Sequence, residues 1–253
     1  MRPSWNKGLI SGHAGFNSAT GTQIPGALGS FMAFGTGFTG GVFGAAGDVN
    51  GDGKADIICG AGAGGGPNVR VFSGATGALL SSFYAFDSRF AGGVTVAAGD
   101  TSGDEKAEII VGAGAGGGPN VRVFDGSNNA LLKSFYAFDP AFTGGVFVAC
   151  GDTEGDGFAE VIVGAGAGGA PEVSVFRIDD FGQLATYQPY GAGFMGGVRV
   201  GVAPSTISGK FNIVTGPGSG GGPQVQVYDL YTSTALDNFF AFDPAFLGGV
   251  FVG

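Results

Sequence analysis

The stretch Gly60-Ala-Gly-Ala-Gly-Gly-Gly-Pro67-Asn-Val-Arg-Val-Phe72 returns unchanged from Gly112 to Phe124. It returns with substitutions from Gly164 to Phe176, and more loosely from Gly216 to Tyr228. Pro67, Pro119, Pro171 and Pro223 are therefore spaced by 52 residues, as are Phe31, Phe83, Phe135, Tyr187 and Phe239. A fixed period of this length marks a fold built by repeating one supersecondary unit, and the content of the unit decides which fold it is.

One period contains four strand-like runs: Gly93 to Ala98, Ala107 to Val111, Asn120 to Phe124 and Leu131 to Phe138. The third alternates, with Val121 and Val123 on one side and Arg122 on the other; Arg70, Ser174 and Gln226 are the equivalents of Arg122. Glycine, Asp-Gly and Asp-Pro signals separate the runs, and no stretch has a helical period. Four short antiparallel strands per unit predict an all-β propeller with four-stranded blades. Small residues suit the strand nearest the axis, and the Phe-Tyr-Ala-Phe runs suit the outer strand and the seam between blades.

The ends carry partial units. Phe246 to Gly253 reads as a first strand without the rest of its blade. Residues 1–39, with Gly8 to Gly12, Phe16 to Gly21 and Phe31 to Phe34, read as a degenerate blade lacking its first strand. Joined, they predict a fifth blade and a ring closed by pairing of the two terminal segments, which would remove exposed sheet edges. The expected organisation is one domain over 1–253, with repeats at about 40–91, 92–143, 144–195 and 196–247, and 1–39 completed by 246–253. An open fragment of a longer array is the alternative.

Composition narrows the function. The 55 glycines follow no Gly-X-Y period, and the 24 phenylalanines give the chain material for a core. A net charge of −9 argues against nucleic acid or an anionic membrane as partner. Cys59 aligns with Val111 and Val163, and Cys150 with Ala46 and Ala98, so both are expected to be buried thiols. The N-terminus shows no apolar signal-peptide stretch, which leaves location open, and no run is long enough to span a membrane.

The loop Asp48-Val-Asn50-Gly-Asp52-Gly53-Lys54-Ala-Asp56 places side-chain oxygens at positions 1, 3, 5 and 9, a main-chain carbonyl at Lys54, and glycine at position 6. Oxygens in this alternation suit Ca²⁺. The third copy offers Asp152, Glu154, Asp156, Phe158 (carbonyl) and Glu160. The second offers Asp100, Ser102, Asp104, Lys106 (carbonyl) and Glu108, with Glu105 in place of the glycine. The fourth, Pro204 to Ser208, has lost the ligands. Asx turns between strands are the competing reading of all three. If Ca²⁺ binds, an affinity on the order of 10⁻⁴–10⁻³ M is expected, as in extracellular modules. Gly60, Gly62 and Gly65 also fit G-x-G-x-x-G, but this glycine run leads into a strand and recurs in every unit, which excludes a dinucleotide site. With one histidine, His13, no Ser-His-Asp or Cys-His constellation is expected.

The run from Gly47 through Ile58, followed by Gly60-Ala-Gly62 and Val69 to Phe72, resembles the FG-GAP (VCBS-type) repeat of integrin α-subunit heads, some fungal lectins and bacterial surface proteins. The resemblance covers essentially Phe31 to Gly253. It implies a propeller with calcium at Asp48, Asn50, Asp52, Lys54 and Asp56 and at the matching positions of the second and third copies. It also implies adhesion, assembly or carbohydrate binding outside the cytoplasm. Two departures stand out: about five blades rather than the seven of integrin heads, and a fourth loop without ligands. The expected function is a non-catalytic structural or adhesive module at the cell surface, binding a protein partner or itself. A lectin-like module using Phe90 and Phe142 is the alternative.

Overall fold

The computed structural model describes residues 12–14, 22–23, 26, 29–180, 182–231 and 234–252. The expected strand material at Phe16 to Gly21 and most of Gly8 to Gly12 lies outside the described residues, as does Gly253. Two short strands, β1 (Gly12–Ala14) and β2 (Ser30–Met32), form an antiparallel pair. Blade 1 follows with β3 (Val42–Gly47), β4 (Asp56–Ala61), β5 (Asn68–Phe72) and β6 (Leu79–Tyr84). Blade 2 has β7 (Val94–Gly99), β8 (Glu108–Ala113), β9 (Asn120–Phe124) and β10 (Leu131–Tyr136). Blade 3 has β11 (Val146–Gly151), β12 (Glu160–Ala165), β13 (Val173–Phe176) and β14 (Gln183–Tyr187). Blade 4 has β15 (Val198–Pro204), β16 (Phe211–Pro217), β17 (Gln224–Tyr228) and β18 (Asp237–Phe240).

Each blade is an antiparallel meander with strands in chain order, and β3, β7, β11 and β15 face one another around the axis. The registers repeat: Gly44 opposes Cys59 in blade 1, Val96 opposes Val111 in blade 2 and Val148 opposes Val163 in blade 3. The second strands are buried almost throughout because neighbouring blades cover both of their faces. The outer strands keep one face in water, which leaves Leu79, Tyr84, Leu131 and Tyr136 exposed.

The expectation of five blades is corrected: the described residues form four four-stranded blades. In place of a fifth stands the two-stranded β1–β2 sheet. The segment aligned with Val69-Arg70-Val71 reads Asn17-Ser18-Ala19, without the branched apolar residues of the other copies, and lies outside the described residues. Among the described residues no hydrogen-bonded ladder joins the N-terminal segment to 246–252, and 250–252 form no strand.

Glycine does its work at the seams. Gly93, Gly145, Gly197 and Gly249 all have positive φ. A Cβ on Gly145 would lie 2.4 Å from the carbonyl carbon of Gly114, in the blade before. A Cβ on Gly114 would in turn lie 2.1 Å from the carbonyl oxygen of Gly92. Successive blades thus meet backbone to backbone, a distance only glycine permits. The outer halves of the seams are aromatic: Phe31–Phe72, Phe83–Phe124, Phe135–Phe176 and Tyr187–Tyr228 have centroids 4.9, 5.0, 5.1 and 5.3 Å apart.

Cys59 and Cys150 are free and buried. Burial pushes the Cys59 thiol up to about 12 and raises Cys150 as well, where the charges of Glu160, Glu108 and Asp100 add to burial. Native protein at pH 8 is therefore expected to leave a thiol reagent such as DTNB unreacted, with two thiols appearing on unfolding in guanidinium. Rapid labelling of the folded protein would contradict the buried placement.

Candidate metal-binding loops

The three Asp-rich loops join the axial strand of a blade to its second strand. Their backbone is set by left-handed residues at positions 4 and 6. These are Gly51 (φ 77°) and Gly53 (80°), Gly103 (80°) and Glu105 (67°), and Gly155 (83°) and Gly157 (93°). Glu105 holds the conformation without glycine's freedom, at a cost of about 1–2 kcal/mol.

The coil turns amides inward onto the aspartate at position 1. Asp48 accepts from Gly51 N (2.7 Å) and Gly53 N (2.7 Å). Asp100 accepts from Gly103 N (2.6 Å) and Glu105 N (2.8 Å), and Asp152 from Gly155 N (2.5 Å) and Gly157 N (2.8 Å). Desolvation is the largest single influence on Asp48 and raises it. The amides of Gly53, Gly51, Asp52 and Asn50 together outweigh it and hold the carboxyl below its ordinary value. At position 5, Asp52, Asp104 and Asp156 accept from Lys54 N, Lys106 N and Phe158 N at 2.9, 3.0 and 3.0 Å. These are the Asx turns of the competing reading, and they shape the loop whether or not a cation enters.

Position 9 behaves differently. Asp56, Glu108 and Glu160 are buried carboxylates at the start of the second strand. Asp56 spends both oxygens on backbone amides, Val49 N (3.2 Å) and Gly74 N (3.0 Å). Glu108 takes Thr101 N and Oγ1 on Oε2 (2.7 and 2.8 Å) and Ser102 Oγ on Oε1 (3.1 Å). Glu160 takes Thr153 N and Oγ1 (both 2.7 Å) and Glu154 N (3.2 Å) on Oε2, while its buried Oε1 has no partner. Burial raises the Glu160 carboxyl, partly offset by the Thr153 and Glu154 hydrogen bonds.

Thr101 and Thr153 hold the position-9 carboxylates in a way that a ligand-spacing reading passes over. The signal is in the sequence: glutamate at position 9 accompanies threonine at position 2, and Asp56 accompanies Val49. The shorter carboxylate reaches the Gly74 amide, and the longer one folds back onto the threonine.

Of the proposed ligands, Asp100, Asp104 and Glu108 bring one carboxylate oxygen each within 4.8 Å of one another, a spacing that fits a single cation. Among the described residues the carboxylates of the first and third loops form no such group. Asn50 is engaged by Asp52 N at 2.9 Å. Glu154 is drawn sideways, taking a close hydrogen bond from Arg177 Nη2, another from Nε at 3.1 Å, and one from Tyr231 Oη at 2.8 Å. In the fourth loop Lys210, aligned with Lys54 and Lys106, pairs with Asp229 at 2.7 Å, and the candidate carboxylate positions hold Pro204, Ser208 and Asn212.

Neighbouring loops are stitched together. The carbonyls of Asp48, Asp100 and Asp152 accept from Ala107 N, Ala159 N and Phe211 N of the next blade at 2.8, 2.7 and 2.7 Å. Anything that stiffens one loop therefore stiffens a seam. Phe90 and Phe142, the candidate glycan contacts, stack edge-on against Phe86 and Phe138 (6.1 and 6.4 Å) beneath glycines, as packing residues do.

Residues 48–111 match the family model of the FG-GAP-like repeat. No curated protein matches the chain significantly in sequence. Among solved structures, the rhamnogalacturonan lyase PL11 of Bacillus licheniformis superposes with a TM-score of 0.53 at 16% identity, over 77% of this chain and 41% of its own. The exotype rhamnogalacturonan lyase YesX gives 0.52 at 16% over 77% and 40%, and the WD40 repeats of RRP9 give 0.55 at 13% over 92% and 58%. The chain spans about two fifths of the length of the two lyases. At these identities the likeness is one of fold.

Proposed function

This chain is a β-propeller of FG-GAP-like repeats, and on that premise we propose that it is a non-catalytic structural or adhesive module, stiffened by Ca²⁺, that assembles through the outgoing face of blade 4. One observation carries the reading. At each inner seam the aromatic of the outer strand lies on an aromatic of the following blade, but the fifth member, Phe239, is 48% exposed. Phe242, beside it, is 59% exposed. With Phe246 also exposed, the aromatic seam positions of blade 4 lie uncovered where those of the other blades are packed. The occupant that suits it is a second copy of this chain.

Closure of the ring by its own termini is the competing arrangement, since it would cover the face on blade 4. Phe251 lies 6.3 Å from the ring of Phe43 in blade 1, which favours 250–252 as the innermost element of a fifth, incomplete position. In the loops, Asp100, Asp104 and Glu108, with the Lys106 carbonyl, would hold one Ca²⁺, and the matching residues of the first and third loops the others. The ion would neutralise clustered carboxylates and tie each loop to the next blade. Millimolar calcium is an extracellular condition, and a place outside the cytoplasm follows from that. Among the described residues no helix is long and apolar enough to cross a membrane.

The test is light scattering in millimolar CaCl₂ and again in chelator. Oligomers or filaments are expected with Ca²⁺, reverting to monomer in the Phe239→Ser/Phe242→Ser variant. A wild-type chain that stays monomeric at high concentration in both conditions rejects assembly. A second reading, carbohydrate binding, is favoured by a cleft of about 510 Å³ between blades 2 and 3, where the exposed Phe158 ring stands beside Asp156, Arg177 and Asp179. Hits on a glycan array that vanish in Phe158→Ala would select it.

A further inference from the structure

One position of the repeat supplies the side chains that meet on the propeller axis: Phe43, Thr95, Phe147, Arg199 and Phe251, each 52 residues after the last. They line one axial cavity of about 730 Å³. Four of the five are accounted for. The rings of Phe43, Phe147 and Phe251 form a triangle with centroids 6.3, 6.3 and 6.4 Å apart. The Thr95 hydroxyl donates to the carbonyl of Val146 at 3.0 Å.

Arg199 is the exception. Among the described residues it is the one charged side chain lining the cavity. Its guanidinium lies 4.1 Å from the centroid of Phe251 and 5.5 Å from that of Phe147, and Nη1 donates to the Pro217 carbonyl at 2.9 Å. Nε is buried without a partner, and no carboxylate pairs with the group among the described residues. Arg70 and Arg122 also pack on phenyl rings with Nε unpaired, but they recur at one repeat position and donate across a seam to Ala33 O and Ala85 O. The repeat does not call for arginine at position 199, since the other copies place phenylalanine or threonine there. A half-buried cation in an apolar cavity without a counter-ion attracts an anion, and a guanidinium edge matches a carboxylate in two parallel hydrogen bonds. Burial accordingly disfavours the charged form of Arg199.

We propose that the axial cavity binds a small monocarboxylate with an apolar body, Arg199 meeting the carboxylate and the phenyl triangle its hydrocarbon part. The site stands apart from the Asp-rich loops and from the face on blade 4. Sodium benzoate is the probe, titrated into the full chain by calorimetry and thermal shift, with benzyl alcohol, chloride and phosphate at matched ionic strength. A saturable rise in melting temperature of a few degrees is expected with benzoate alone. Binding should weaken by about 10-fold or more in Arg199→Gln and stay unchanged in Arg122→Gln. Arg199→Lys, which keeps the charge but loses the fork, should fall between. The wild-type Arg199 Nε–H resonance should shift with benzoate, a readout that needs no variant to fold. No response in the wild type, a response that survives Arg199→Gln, or one that phosphate reproduces would each overturn the assignment and leave Arg199 as a plug on the phenyl rings.

Discussion

Gly145→Ala is expected to lower stability by about 3 kcal/mol or more, combining a left-handed conformation unfavourable for alanine with a collision against backbone that has nowhere to go. At φ 73° its new Cβ would sit 2.4 Å from the Gly114 carbonyl carbon and 2.6 Å from Ala115 N, both across the seam between blades 2 and 3. In a domain of this size the melting temperature should drop by roughly 6–12 °C. Gly116→Ala is the control. It has φ 87°, but nothing lies within 4 Å of its added Cβ. That variant bears the backbone strain alone and should lose only about 1–2 kcal/mol. Equal losses in guanidinium denaturation at both positions would mean that the close approach of the blades contributes nothing.

The carboxylates at position 9 are expected to respond with opposite signs. Asp56→Ala strands the buried amides of Val49 and Gly74, at about 1–3 kcal/mol each, whether or not calcium is present. Glu160→Gln, measured in chelator at neutral pH, should instead stabilise by about 1 kcal/mol, because an amide replaces a buried charge whose Oε1 nothing meets. The pH dependence follows from burial raising this carboxyl. Metal-free native protein holds the proton more tightly than the unfolded chain. Its contribution is therefore complete below the unfolded value and is lost as pH rises through the folded one. The glutamine variant should lack that decline, and in millimolar Ca²⁺ it should gain less stability than the wild type. Denaturation curves at several pH values, with and without chelator, decide it. A Glu160→Gln variant less stable than the wild type in chelator would show that the carboxylate is needed for the fold itself.

Much of this was readable from residues, and the failures have physical causes. The 52-residue landmarks locate every strand of blades 1 to 4, because each strand has its own turn chemistry and the third has a clean Val-x-Val alternation. The blade count failed for a related reason. Phe31 keeps its landmark spacing, but a landmark reports the outer strand and says nothing of whether inner strands have apolar side chains to bury. Glycine was legible as turn chemistry in the 62–66 stretch. Its larger role, letting Gly145 rest on Gly114 of the preceding blade, depends on partners that no local pattern pairs. The loops were located by spacing alone. That spacing cannot separate a carboxylate oxygen spent on an amide from one left without a partner, and Asp56 and Glu160 differ in this respect.

The near-identity of the first seams has a further consequence. With Gly60 to Phe72 and Gly112 to Phe124 the same in sequence, β2, whose Phe31 packs on Phe72, would find an equally good neighbour at Phe124, one blade too far along. A folding chain of interchangeable parts risks misdocking, a kinetic hazard of repeat proteins. The later junction carries an address. Tyr187 and Tyr228 stack there in place of two phenylalanines, Tyr187 Oη donates to the Leu230 carbonyl, and Tyr190 Oη donates to the Gln224 carbonyl at 2.9 Å. Tyr190 Oη also meets Thr215 Oγ1 at 3.2 Å, a contact that Cys59, Val111 and Val163 at the matching positions do not offer. The divergence of the fourth blade thereby fixes the order of the others, as a single odd tooth sets the position of a gear.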